Sequence, residues 1–148
     1  MFNPTHRIAR AARFALAAAG VAVALTAGGT SAAADTPAPA PEELQATLDK
    51  FVDPGISTAD KEKLVVSGDQ RAANIDTMTG KLAGYGHIGF VVTNVQATGD
   101  DAAASVAIAS PHGTIPGFQM SWQHSDAAGW QLTDGSACTI LALGRAAC

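Results

Sequence analysis

Few side chains in this sequence have the types and spacing that chemistry demands. The candidates are Cys138 and Cys148, His124, and an apolar set made of Phe90, Phe118, Met120 and Trp122. The two cysteines have no histidine near them, and two isolated thiolates do not complete the four ligands of a structural zinc site. In an oxidising compartment an even cysteine count reads as one disulfide, Cys138–Cys148. Its loop of about 11 residues contributes about 2.5–3 kcal/mol in the chain-entropy account. No His-Glu-x-x-His and no close histidine pair offers a catalytic metal site. Ser67-Gly68 and Gly135-Ser136 lack the Gly-x-Ser-x-Gly elbow of a serine nucleophile. The glycines punctuate turns and form no phosphate cradle.

His124 extends the alternation of Phe118, Met120 and Trp122 by one more position, which aims it at a pocket mouth. The simpler reading is a strand-end histidine at the rim of a core. His87 begins a strand and His112 occupies a turn tip, so both are expected in solvent. Trp122 and Trp130 have the shape of a binding platform, yet tryptophan on a half-buried strand is more often core. The expectation is a protein that is not an enzyme and that needs neither metal nor cofactor.

The address is written in residues 1–34. His6, Arg7, Arg10 and Arg13 form a basic start, and residues 14–34 carry no charge. Ser31-Ala-Ala-Ala34 supplies a small-x-small cleavage site before Asp35. The apolar stretch is shorter than the roughly 20 residues a spanning helix needs, so it reads as a signal peptide cut after Ala34. Three arginines leave with it. Six Lys/Arg then face thirteen Asp/Glu, and the formal charge moves from −4 to −7. With no basic stripe, nucleic acid is not expected as a partner, and anionic membrane surfaces are disfavoured. No cysteine follows the cut and no two arginines are adjacent, so neither lipid anchoring nor twin-arginine export is expected. The product expected is a secreted, soluble monomer.

The elements that must position the candidates follow from periodicity. Residues 35–41 alternate proline and read as a short extended linker, with one domain over 42–148. Leu44, Leu48, Phe51 and Val52 make one apolar helix face over 42–52, ended by Asp53-Pro54-Gly55. A second helix starts after Ser57, with Ser57-Thr-Ala-Asp60 as a capping box and Leu64, Val65 and Val66 as its buried end. A third spans about 69–82. The period then changes to two. Strands are expected at about 87–98, 102–110, 115–124 and 130–132, joined by short turns as an antiparallel meander. A short helix over about 136–143 closes the chain. Helices followed by such a meander argue for an α+β fold, helices packed on one face of a curved four-stranded sheet whose inward side is rich in Phe, Met and Trp.

The segments Leu48-Asp-Lys-Phe-Val-Asp-Pro54, Ala59-Asp-Lys-Glu-Lys-Leu-Val65 and Gly89-Phe-Val-Val-Thr-Asn-Val-Gln-Ala97 occur in a definite order. The Ala-rich strand 102–109, Gly129-Trp-Gln-Leu132 and Ser136-Ala-Cys-Thr-Ile-Leu141 follow them. Together they resemble the low-molecular-weight secreted antigen family of mycobacteria and related actinobacteria over about residues 44–148. The resemblance implies a cystatin-like or nuclear-transport-factor-like fold, immunogenicity and no established enzymatic activity. It supplies no catalytic motif, and the cysteine pair departs from the family's pattern. Some folds of this shape are isomerases. That chemistry needs a carboxylate base with an oxyanion hole of Tyr and protonated acid in an apolar cavity. The only tyrosine, Tyr85, sits in a Gly-flanked turn, and Asp126 and Asp134 lie in or beside turns. The leading expectation is an antigen-like protein that binds a partner at its surface. The alternative is a carrier of a small apolar ligand on the concave sheet face, using Phe90, Phe118, Met120, Trp122 and His124. An isomerase-like enzyme with His124 as base stands last.

Overall fold

The structure, a computed structural model, describes residues 35–148, and the expected signal segment lies outside them. Residues 35–40 form no helix or strand, yet they do not stand clear of the domain. Pro39 is buried, and the Thr36 hydroxyl donates to Asp100. Helix α1 (Pro41–Val52) starts on proline, carries Glu42 and Glu43 in its first turn, and buries Leu44, Leu48, Phe51 and Val52. Proline needs no hydrogen-bond partner there, and the two carboxylates suit the positive end of the helix.

Helix α2 (Thr58–Glu62) is capped as its sequence predicts, with Ser57 Oγ accepting from the Asp60 N–H at 3.2 Å. It ends sooner than expected. Leu64–Val66 does not continue the helix but forms a turn whose Val65 makes a single parallel bridge with Leu132 of the last strand. The Val66 N–H donates to the Leu132 carbonyl, and the Leu132 N–H to the Leu64 carbonyl, both at 2.8 Å. An open strand edge presents unpaired backbone groups, and satisfying them outweighs one more helical turn. Gly68 makes the return possible, because a Cβ at that position would collide with the Glu62 carbonyl. A 3-10 turn (Gly68–Arg71) leads into α3 (Ala72–Leu82), which buries Ile75, Met78 and Leu82. Lys61 is fully buried between α2 and α3 and donates to Thr79 Oγ1 at 2.7 Å. Burial pushes its ammonium pKa down.

Strands β1 (Gly89–Thr98), β2 (Asp101–Ser110), β3 (Gly113–Ser125) and β4 (Gly129–Leu132) form an antiparallel meander in chain order. Bulky and small residues alternate across it: Trp122 lies opposite Ala102, and Met120 opposite Ala104. That complementarity lets one face close at interior density. The face is buried mainly under α1 and α4, with α3 packed against both helices and Trp122, Phe51, Leu48 and Leu132 in one core. Two bulges interrupt the alternation. Asn94, at φ +54°, shifts the inward set of β1 from Phe90 and Val92 to Val95 and Ala97. The second lies at Pro116-Gly117 in β3.

β4 stops at Leu132, which leaves Ser121 of β3, paired with Ala103 of β2 on one side, without a strand partner on the other. The Thr133 N–H donates to the Ser121 carbonyl at 3.0 Å, and Ser136 Oγ accepts from the Ser121 N–H at 2.8 Å. Thr133 also caps α4 (Asp134–Leu143). Arg71 grips both Asp134 carboxylate oxygens, donating from Nε at 2.7 Å and from Nη2 at 2.8 Å. After α4 the chain folds back on itself. Gly144 lies so close to α3 that a Cβ would approach Met78 Cγ to 2.6 Å. Arg145 takes a left-handed turn at φ +56°, and Asn74 Nδ2 donates to the Ala147 carbonyl at 2.9 Å. The tail ends in the Cys138–Cys148 disulfide, with Cα atoms 5.5 Å apart.

Two outcomes follow from these closures. The hydrogen bonds from Arg71 hold the Asp134 carboxyl below the usual value of 3.8. A depressed folded pKa stabilises above the unfolded value and is lost as pH falls through the folded one. Asp134→Asn therefore lowers the melting temperature at pH 7, and the deficit shrinks below about pH 4; a deficit independent of pH would contradict this. Replacing both cysteines by serine costs about 2–3 kcal/mol in urea unfolding, whereas an unchanged midpoint would show that the tail is held without the bridge.

Candidate functional site

Where β1 begins, β2 ends and β3 begins, the molecule carries an open pocket of about 340 Å³. Phe90 and Ile108 form a cross-strand pair on its sheet wall, and Ile115 continues the row. Ile115 is there because of the bulge. Val106 pairs with Phe118, but two residues further along β2 Ile108 pairs with Ile115 rather than Pro116. Gly117, at φ +92°, absorbs the extra residue, and proline is tolerated because a bulge needs no ladder donor. The helices supply the opposite wall from their C-terminal ends. Val52 closes α1, Leu82 closes α3, and Ile140 and Leu143 belong to the last turn of α4.

The rim is made by two turns. The Tyr85 ring leans on His112 with centroids 5.5 Å apart, and Gly86, at φ +99°, passes Pro111 where a Cβ would come within 2.8 Å. Four large apolar side chains are exposed among the described residues, and three of them meet at this mouth: Tyr85 (42%), Ile115 (55%) and Leu143 (51%). Exposed apolar surface is unremarkable when scattered and informative when it converges on a cavity.

The charges around the pocket are one-sided. Lys81, in the last turn of α3, and Arg145, just beyond α4, line it, together with the hydroxyl-bearing Tyr85 and Ser110. No carboxylate and no histidine does. Among the described residues, neither cation has a carboxylate within salt-bridge distance, while Arg71 and Lys63 each have one. A second, more polar groove of about 550 Å³ shares Val52, Leu82, Ile88 and Phe90 with the pocket, but carries Asp49, Asp53 and His87 instead.

The structure divides the residues that sequence reasoning grouped together. Phe90 lines the pocket. Phe118 is half-buried against the core. Met120 and Trp122 lie inside the core and offer a ligand no surface, and Trp122 Nε1 is buried without a hydrogen-bond partner. His124 sits at the opposite end of the sheet, its ring 5.2 Å from that of Trp130 and its Nδ1 4.0 Å from Asp100 Oδ1. Cys138 and Cys148 are joined. The residues that sequence reasoning passed over are Ile108, Ile115, Leu143, Lys81 and Arg145. A Pro-Gly pair inside a strand pattern is the local signal for the bulge that turns Ile115 inward. Among the described residues, no three His, Cys, Asp or Glu side chains gather in a metal-binding group, and no helix is long and apolar enough to cross a membrane.

The antigen-type sequence pattern, the helix-then-meander order and the closing helix have a counterpart among known families. The family described as low molecular weight antigen MTB12, C-terminal domain, matches residues 37–148. The chain has no match among curated proteins. A match over that span takes in every helix and strand described above, and the chain belongs to the MTB12 low molecular weight antigen family through its C-terminal domain.

Proposed function

We propose that this antigen-family protein is a secreted, non-enzymatic binding domain that takes a small apolar ligand in the pocket at the β1–β2–β3 end of its sheet. The observation that carries the reading is the convergence of Tyr85, Ile115 and Leu143, all well exposed, on a cavity of about 340 Å³. A cavity of a few hundred cubic ångströms with apolar walls and few polar groups is the usual form of a small-molecule site. A non-enzymatic role is supported by the lining itself. General acid–base catalysis is most often carried by an imidazole or a carboxylate within hydrogen-bond reach of the substrate, and the lining holds neither, its titrating side chains being Lys81, Tyr85 and Arg145. The ligand site of this reading differs from the one expected on the concave face, because Met120 and Trp122 fill that region with core.

The mouth residues are exposed, so replacing them separates binding from folding. Ile115→Ser combined with Leu143→Ser weakens binding of a neutral apolar probe, 1-decanol, by about tenfold, the loss of two partly buried apolar contacts. The melting temperature stays within a few degrees of the parent, as expected for surface changes. Unaltered decanol binding by isothermal titration calorimetry would remove the pocket from the account.

A further inference from the structure

Granting that this pocket binds apolar matter, its charges narrow the class of ligand. We propose that the occupant is a free, monomeric amphiphile with a single aliphatic chain and an anionic head, the head held by Lys81 and Arg145. The chain as described is strongly acidic, with thirteen carboxylates against six Lys/Arg in residues 35–148. Two of those six cations nevertheless line this one pocket, and none of the thirteen carboxylates does. The other cations are occupied or elsewhere. Arg71 is bound to Asp134, Lys63 to Asp60, and Lys61 is sealed inside on Thr79.

The rest of the lining says which part of the ligand goes where. Phe90, Ile108 and Ile140 are buried side chains at the inner wall, suited to an aliphatic chain. Lys81 and Arg145 are exposed and close α3 and α4 at the outside. Asp49 and Asp53, in the groove that shares Phe90 and Ile88, repel an anion approaching from that side. An apolar interior with cations at one margin and carboxylates at the other orients an anionic amphiphile and rejects a cationic one. The acidic surface as a whole disfavours contact with an anionic bilayer, which favours a monomer taken from solution.

Arg145 is also placed with unusual care. Its left-handed backbone is uncommon for a residue with a side chain, and it is fixed between Gly144 on Met78 and the bridge at Cys148. Both cations sit at helix C-termini, where a positive charge also offsets the helix dipole. That structural role predicts an effect on stability and none on ligand selectivity, so the two roles separate in one experiment.

The experiment is calorimetric titration of the disulfide-intact protein with decanoate, 1-decanol and decyltrimethylammonium, beside co-sedimentation with phosphatidylglycerol vesicles. Decanoate binds most tightly and the ammonium least. Lys81→Gln and Arg145→Gln each weaken decanoate by about three- to tenfold, the range for a charge-assisted contact open to solvent. They leave decanol unchanged, and added salt weakens decanoate alone. The double variant Lys81→Glu/Arg145→Glu inverts the order of the two ions. If decanol binds as well as decanoate and the charge variants change nothing, the anionic head is wrong while the apolar pocket stands. If none of the three binds, both readings fall. Binding to vesicles without binding to monomeric decanoate overturns the choice of a free ligand.

Discussion

One sheet face has to be covered, and the rest of the molecule is arranged around that need. Trp122 and Met120 project from the middle of β3 opposite Ala102 and Ala104, so the meander presents a bulky ridge over a small-residue floor. Burying such a surface is worth about 25 cal/mol for each Å² of apolar area removed from water, the dominant favourable contribution in a domain of this size. The cover comes from both ends of the chain. α1 brings Leu44, Leu48 and Phe51, and α4 brings Ala137, Ile140 and Leu141. Contacts far apart in sequence join the two parts: Arg71 to Asp134, Leu64–Val66 to Leu132, and Asn74 to the C-terminal tail. The disulfide fixes the tail where these contacts run out.

The pocket is a consequence of the same arrangement. Three helices finish near the end of the sheet where β2 runs into β3, and their terminal residues reach across it without filling it. The Pro116-Gly117 bulge then swings Ile115 toward the helices, adding an apolar wall that an unbroken ladder would have replaced with Pro116. Its inner wall is the core itself, at Phe90, Ile108 and Ile140, while its mouth is made by Tyr85, Ile115 and Leu143, side chains the core does not need and which can therefore remain exposed.

Most of the architecture was legible in the sequence, because its signals are local. The 3.6-residue period of Leu44, Leu48 and Phe51, the Ser57 cap, the strand alternation and the cysteine pair each appear within a few residues of chain. One local reading failed for a non-local reason. Leu64–Val66 looks like the apolar end of a helix, but the unpaired edge of β4, nearly seventy residues on, captures it. The burial of Lys61, enclosed by α3 with Thr79 as its partner, has no local signal either. The ligand-site reading followed the alternation Phe118, Met120, Trp122, His124, and that alternation describes the core. The pocket residues share no segment and no period; Lys81, Ile115, Leu143 and Arg145 meet only through the tertiary fold. One-residue bulges at Asn94 and Pro116-Gly117 decide which side chains face inward, and alternation counted across them goes out of phase.

The membership of the chain in the antigen family fixes its kinship and leaves the chemistry to the pocket. The most direct measurement is a crystal structure of the protein grown with decanoate. The account predicts an aliphatic chain against Phe90, Ile108 and Ile140, with the carboxylate facing Lys81 and Arg145. A ligand lodged in the groove of Asp49 and Asp53, or beside His124, or a carboxylate turned away from both cations, would contradict it.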